Sequence, residues 1–381
     1  EGGALAQSRN PTCRQPWHRA GRRNEMADAA HGAGQPIFDA LASANAGESG
    51  EGRGDPDAPR KATGVPYWHD ARDFEWEDLR ARFEPEVRAL LEREPPERSS
   101  SPTPAIPDSF EAGVDGSGVA DTQGQIDGWE RHFQKHASAP TPFFKERRGL
   151  LQMFPVLNTP DIHVLEIGCG NGSCVLPLLR GNVTATVHAT DPARTAVEDT
   201  AWRCAEQGLS ERLTSEIQPG KTTPCSPEHG PFDHVMILCT LSAIPGEDDA
   251  ALLASATAAL RPGGLVLIRD HGMYDMRHLK DVRRGAVLLD RERPAYLRPG
   301  GMHRRYYSLQ DMAALAGGAG LEVVENRYLC IRQRNEKKGL EWDRVYVHSV
   351  FRRPFDSGDA APCKVNTVPC KVTPAILHGI P

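Results

Sequence analysis

Nine cysteines are scattered along the 381 residues, yet no two stand in a C-x-x-C pair, so neither a zinc ribbon nor a redox dithiol is indicated. The scatter suits a reducing compartment. No apolar run approaches the roughly 20 residues of a membrane span, and no signal peptide is visible, which makes a cytoplasmic location the expectation. An Arg-containing leader resembles a transit peptide, but Asp28 and the acids between Glu48 and Asp57 weigh against one. Periodic apolar residues are almost missing from residues 1–60 and from the Ser/Pro/Gly/Asp stretch Ser99 to Gly124. Both are read as disordered, as is the Pro-rich tail 355–381 with Cys363 and Cys370. Met26, followed by Ala-Asp-Ala-Ala, reads as an alternative start that would make the first 25 residues a leader.

A dinucleotide fingerprint is also lacking. The stretch His163 to Ser173, HVLEIGCGNGS, reads as a buried strand entering a glycine turn that opens a helix. Gly168, Gly170 and Gly172 let the backbone turn sharply and approach a ligand that any Cβ would block. The spacing is E-x-G-x-G-x-G, led by Glu166, whereas a pyrophosphate turn is G-x-G-x-x-G and would need glycine where Ser173 stands. Asp191 closes the next apolar run and is placed to bind a ribose diol. Downstream, Phe232 and Asp233 start another apolar run, and Leu260-Arg-Pro-Gly-Gly264 leads into the next, as at the fifth strand of class I methyltransferases. These details favour S-adenosylmethionine over a nicotinamide or flavin. Cys169 and Cys174, which flank the turn, read as small core residues.

The formal charge of −6 conceals an asymmetry. Residues 27–127 hold 21 acids against 9 bases, while 261–354 hold 19 bases against 11 acids, a surplus of eight. A locally basic surface is the footprint of a polyanionic partner. Between 63 and 98 lies an amphipathic helical extension, with Leu79, Phe83, Val87, Leu90 and Leu91 on one face. A linker, 99–125, separates it from a domain expected over 126–354. From Ile162 strands and helices alternate, which predicts a mostly parallel sheet covered on both faces. About 37 residues between the fifth strand and the helix at Ser308 are read as a substrate-binding insertion.

With Trp129, FFKER, LEIGCGNGSC, LSAI, RDHGMYD, RRYYS and NEKKGLEWDRVYV in one order, residues 126–353 resemble the tRNA 3-methylcytidine methyltransferases of the methyltransferase-like family. PYWHDARDFEW, residues 66–76, looks like the N-terminal extension of the larger members, which act on threonine tRNAs. The resemblance implies a class I methyltransferase fold, a Rossmann-like sheet of seven strands with helices on both faces. It also implies methyl transfer to the ring nitrogen of a cytidine in the anticodon loop of threonine-type, and by extension arginine-type, tRNAs. A synthetase or adaptor protein is an implied partner, with the 63–98 extension a candidate dock.

Carried over by position, the cofactor contacts are Trp129, Phe133, Gly168, Asp191 and Leu238, with Gln218 or Glu216 near the adenine. The chain departs from the family at Phe133, which replaces Tyr, at Arg148-Gly149, which replace His-Trp, and at Gln218, which replaces Asp. These departures keep open a non-catalytic subunit that presents tRNA, as well as a small-molecule or protein methyltransferase. Asp270, beside Arg269 at the end of the fifth strand, is the candidate catalytic carboxylate, because strand C-termini face the ligand crevice. Tyr274, Arg298, His303, Arg304, Arg305, Tyr306 and Tyr307 mix cations with aromatics, which suits phosphate contact and base stacking. Arg332, Arg334, Lys337 and Lys338 form a second basic cluster.

Overall fold

The computed structural model describes residues 73–92, 122–137, 142–218, 220, 222–284, 286–298, 301–335 and 339–356. The expectations for the leader, for Tyr67 and Trp68, for most of the linker, for the tail and for Lys337 and Lys338 lie outside the described residues. The helices are α1 (Trp76–Leu91), α2 (Thr122–His136), α3 (Leu150–Met153), α4 (Val175–Gly181), α5 (Arg194–Glu206), α6 (Asp248–Ala258), α7 (Met276–Arg283) and α8 (Leu309–Gly318). The strands are β1 (His163–Ile167), β2 (Thr186–Asp191), β3 (Leu213–Ile217), β4 (Phe232–Leu238), β5 (Leu260–His271), β6 (Val287–Asp290), β7 (Ala295–Leu297), β8 (His303–Arg305), β9 (Glu322–Asn335) and β10 (Leu340–Arg352).

Seven strands form one sheet in the order β3-β2-β1-β4-β5-β10-β9. β1 to β5 run parallel and β10 is antiparallel to both neighbours, which is the class I methyltransferase arrangement. Side chains alternate across the sheet, and each face finds a separate cover. Val164, Met236 and Leu267 join the core under α3, α4 and α5, with Leu150, Leu178 and Cys204. Leu165, Ile237 and Ile268 point the other way, toward Leu252, Leu253 and Ala256 of α6 and Met312 and Leu315 of α8. A two-sided core explains why the central strands read as continuous apolar runs. The α8 start is fixed by Ser308 and Asp311, each side chain accepting the other's backbone N–H.

The expected insertion is a real one: α7 followed by a small antiparallel sheet, β6-β7-β8. α2 begins at Thr122, inside the stretch read as linker.

α1 is not a free appendage. Its Leu79 and Val87 pack with Tyr274, Leu279 and Val345, the Trp76 ring stacks on Tyr328 at 4.4 Å, and the indole N–H donates to the Met273 carbonyl at 3.3 Å. Glu86 accepts two bonds from Arg283, and the Asp73 carboxylate accepts the Arg332 N–H. The apolar face expected to dock a partner is therefore occupied within the chain. Trp76→Ala should lower stability by about 3 kcal/mol, as for other packed aromatic truncations, seen as a drop in thermal midpoint. An unchanged midpoint would show that α1 adds nothing to the fold.

Candidate cofactor site

The glycine turn follows β1 as the spacing predicts, and two of its glycines are there for reasons the backbone makes explicit. Gly168 has φ +76°, and a Cβ on it would lie 2.3 Å from Thr240 Oγ1. Gly170 has φ +56°, and its Cβ position is 3.5 Å from Cζ of Phe133, which lies over the loop. Cζ is the atom that would carry a tyrosine hydroxyl.

Across the turn, the Asp191 carboxylate at the end of β2 accepts the Gly170 N–H at 3.0 Å and the Ala193 N–H at 2.9 Å. Burial pushes its pKa up to about 6, against the pull of those two N–H groups. Its carbonyl accepts the Gln218 N–H at 3.0 Å, which brings the end of β3 to the same place.

These groups open onto a cavity walled by α2, the glycine turn, the ends of β2 and β4 and the start of α6. Seven of the nine predicted cofactor residues line it: Trp129, Phe133, Gly168, Gly170, Asp191, Gln218 and Leu238. The other two do not. Gly172 packs behind the loop against Thr200 and Leu176, and Glu166 faces the core beside Cys174 and Arg147. Burial raises the Glu166 pKa to about 8, so it is a mostly neutral acid at pH 7. Glu216 is likewise no adenine contact, because Ser226 binds it through both its N–H and its hydroxyl.

Sequence reasoning missed three parts of the wall: Gln125 and Ile126 on α2, the turn Cys239 to Pro245, and the pair Phe144 and Arg147 within FFKER. Arg147 donates to Cys239 Sγ at 3.3 Å, while its buried Nε has no partner. Such a guanidinium fits the carboxylate of a methionine moiety.

The candidate catalytic pair is corrected by the structure. Asp270 is fully buried and lies outside the cavity wall; its two oxygens accept the N–H groups of Ser242 at 3.0 Å and His271 at 2.7 Å. It braces the turn that lines the cavity. Arg269 lies against the Tyr346 ring, 4.1 Å from its centroid, and burial lowers its pKa to about 10. Strand position alone predicted that Asp270 faces the crevice, but its side chain turns to the neighbouring loop.

The basic and aromatic run is also largely internal. Tyr306 and Tyr307 are fully buried, their hydroxyls donating to Asp281 and Asp249, so neither can stack a base. Arg305 is paired with Asp249 at 3.0 Å and Asp290 at 3.2 Å, and the His303 ring meets the Ser242 carbonyl at 3.1 Å. Tyr274 lies beneath Trp76, and Arg332 is neutralised by Asp343 and Glu341, the latter also holding Arg334. Much of the counted surplus of bases thus faces carboxylates from other segments. Arg298 is partly exposed and Arg304 nearly buried, and the two share Asp281.

Elsewhere, His188, Glu216 and His229 have metal-like spacing, but the two imidazoles stack at 4.0 Å and 20°, so their in-plane lone pairs do not converge. Among the described residues no helix is long and apolar enough to cross a membrane.

A family profile described as a methyltransferase domain matches residues 134–326, just over half of the chain. The chain belongs to the methyltransferase-domain family. For this methyltransferase the glycine cradle, the Asp191 carboxylate and the cavity they open onto fit S-adenosylmethionine, which is its cofactor. Among curated proteins, O-methyltransferase 3 of Dictyostelium discoideum is 28% identical over 51% of this chain and 44% of its own length. The mouse tRNA N(3)-cytidine methyltransferase METTL6 is 29% identical over 59% of this chain and 80% of its own. METTL2 of Xenopus tropicalis, of the same description, is 28% identical over 56% and 62%. A solved S-adenosylmethionine-dependent methyltransferase from Anabaena variabilis is 16% identical, covers 60% of this chain and 94% of its own, and has a TM-score of 0.47.

Asp270→Asn turns an amide N–H₂ toward an N–H donor. We expect a loss of about 1–3 kcal/mol, read by thermal denaturation, with weaker cofactor binding as the 239–245 turn loosens. Loss of turnover alone, with stability and cofactor affinity intact, would return Asp270 to a direct catalytic role.

Proposed function

We propose that this methyltransferase transfers its methyl group to the N3 atom of a cytidine in tRNA. The reading is supported by the relatives named tRNA N(3)-cytidine methyltransferases and, within the structure, by the acid–base character of the cavity wall. Among the described lining residues the only acids are Asp191 and Asp248, and no histidine lines the cavity. An oxygen nucleophile must lose a proton to a positioned base, whereas N3 of cytidine already presents an in-plane lone pair. That contrast favours N3 over the acceptor class suggested by the name of the Dictyostelium relative.

S-adenosylmethionine, when bound, supplies an activated methyl group on a sulfonium. The protein's part is positional. Asp191 would accept hydrogen bonds from the ribose diol, Trp129 and Phe133 would cover the nucleoside, and Arg147 would hold the carboxylate end. The Cys239 to Pro245 turn, braced by Asp270, shapes the side from which the base approaches. A cytidine within an anticodon loop must be unstacked to reach this depth, and single-stranded loops allow that at low cost. Threonine-type and arginine-type tRNAs are the proposed substrates, on the likeness of residues 66–76 to the larger family members, and a synthetase or adaptor protein remains the proposed partner.

Purified full-length protein incubated with labelled S-adenosylmethionine and total tRNA should yield labelled 3-methylcytidine after digestion to nucleosides. A label on a ribose oxygen, or cofactor binding with no labelled nucleoside, would contradict the reading.

A further inference from the structure

At the C-terminal end of β5, burial holds the His271 ring well below its ordinary pKa, and the charges of Arg304 of β8, Arg344 of β10, Arg277 of α7 and Arg147 act in the same direction. Arg344 is neutralised by Asp275 at 2.7 Å. Arg304 and Arg298 instead converge on a single carboxylate, Asp281, at 3.3 and 4.0 Å. That carboxylate already accepts the Tyr306 hydroxyl at 2.7 Å. Arg277 is exposed on the first turn of α7 and makes no ion pair among the described residues. Two guanidiniums therefore share one carboxylate, and with the unpaired charge of Arg277 acting on Arg298 the local excess is two positive charges. Burial, with Arg304 and Arg277 nearby, pulls the Arg298 pKa below its ordinary value.

Arg298 follows β7 and Arg304 lies on β8, and this strand pair reaches the cofactor cavity through Gln125. The turn joining β7 to β8 is tied to α2 by Gln125, whose amide donates to the Gly301 carbonyl at 2.6 Å and accepts the His303 N–H at 2.7 Å. Gln125 itself lines the cavity. Two imidazole nitrogens are buried with no hydrogen-bond partner among the described residues: His132 Nε2, whose ring feels the charge of Arg298, and His271 Nδ1, whose ring feels that of Arg304. Partly buried like charges that share one counterion are costly, and a second anion relieves them. Guanidinium forks arranged on several sides suit a tetrahedral oxyanion better than a planar one.

We propose that Arg277, Arg298 and Arg304 form a seat for a phosphate of the RNA backbone, next to the nucleotide whose base enters the cavity. The inference rests on the reading of the substrate as RNA. The seat holds the strand at one fixed point beside the cofactor and so sets which base enters.

The test measures binding of unmodified tRNA by the full-length chain between about 50 and 200 mM salt, without methyl transfer. Arg277→Gln and Arg298→Gln should each reduce the slope of log affinity against log salt by about 1 and leave S-adenosylmethionine affinity unchanged. Arg261→Gln, at the opposite end of β5 and paired with Asp233, should leave the slope unchanged. Arg277 is exposed, so its variant remains informative if the Arg298 variant folds poorly. Unchanged slopes in both would overturn the seat. Inorganic phosphate alone supplies a second arm. Phosphate-dependent stabilisation of the wild type that is lost in Arg298→Gln, without any slope change, would assign the seat to a free anion and overturn the RNA assignment. Reduced slopes with a labelled nucleoside other than 3-methylcytidine would keep the seat and refute the acceptor. Labelled 3-methylcytidine with unchanged slopes would do the reverse.

Discussion

The carboxylate of Asp191 is the interaction on which the site depends. It receives N–H groups from the glycine turn and from the entry to α5, while its carbonyl receives one from the end of β3. Three segments that approach from different strands are thereby held around one buried acid. The acid is held without a cation: burial raises its pKa, and only backbone N–H groups oppose that rise. A carboxylate in that condition has room for further donors, which the two hydroxyls of a ribose would supply. The group that fixes the loop is the one proposed to read the cofactor.

The charge distribution of the C-terminal third has a comparable logic. Asp249, wholly buried, takes Arg293, Arg305 and the Tyr307 hydroxyl, and so joins the small β6-β7-β8 sheet to α6. Removing one member of such a network strands the others in a poorly solvating interior. Arg293, Arg305 and Arg344 are thus internal fasteners that hold the insertion against α6 and the methyltransferase sheet. Arg298 and Arg304 share the single carboxylate of Asp281, and Arg277 makes no ion pair among the described residues.

Much of this was legible in the chain. Alternating strand and helix patterns pointed to a mostly parallel sheet covered on both faces, and the turn Gly168 to Gly172 with Asp191 at the next strand end pointed to the place where the cavity lies. What escaped was of two kinds. Side-chain direction at a strand end is set by the loop it meets, so Asp270 was placed correctly and aimed wrongly. Charges in a local run were read as surface because their partners lie far along the sequence, as with Arg305 and Asp249, 56 residues apart. Arg147 and Gln125 escaped because each becomes a wall residue only once α2 and the FFKER segment fold over the glycine turn.

The claim that Asp191 both anchors the loop and receives the ribose is tested most directly by titrating S-adenosylmethionine calorimetrically across pH 5 to 8. The ionised carboxylate is the form that accepts hydroxyl donors, and its pKa in the free protein is about 6. Affinity should be level above that value and fall toward tenfold per pH unit below it, a consequence of proton linkage. A flat profile down to pH 5 would contradict the account.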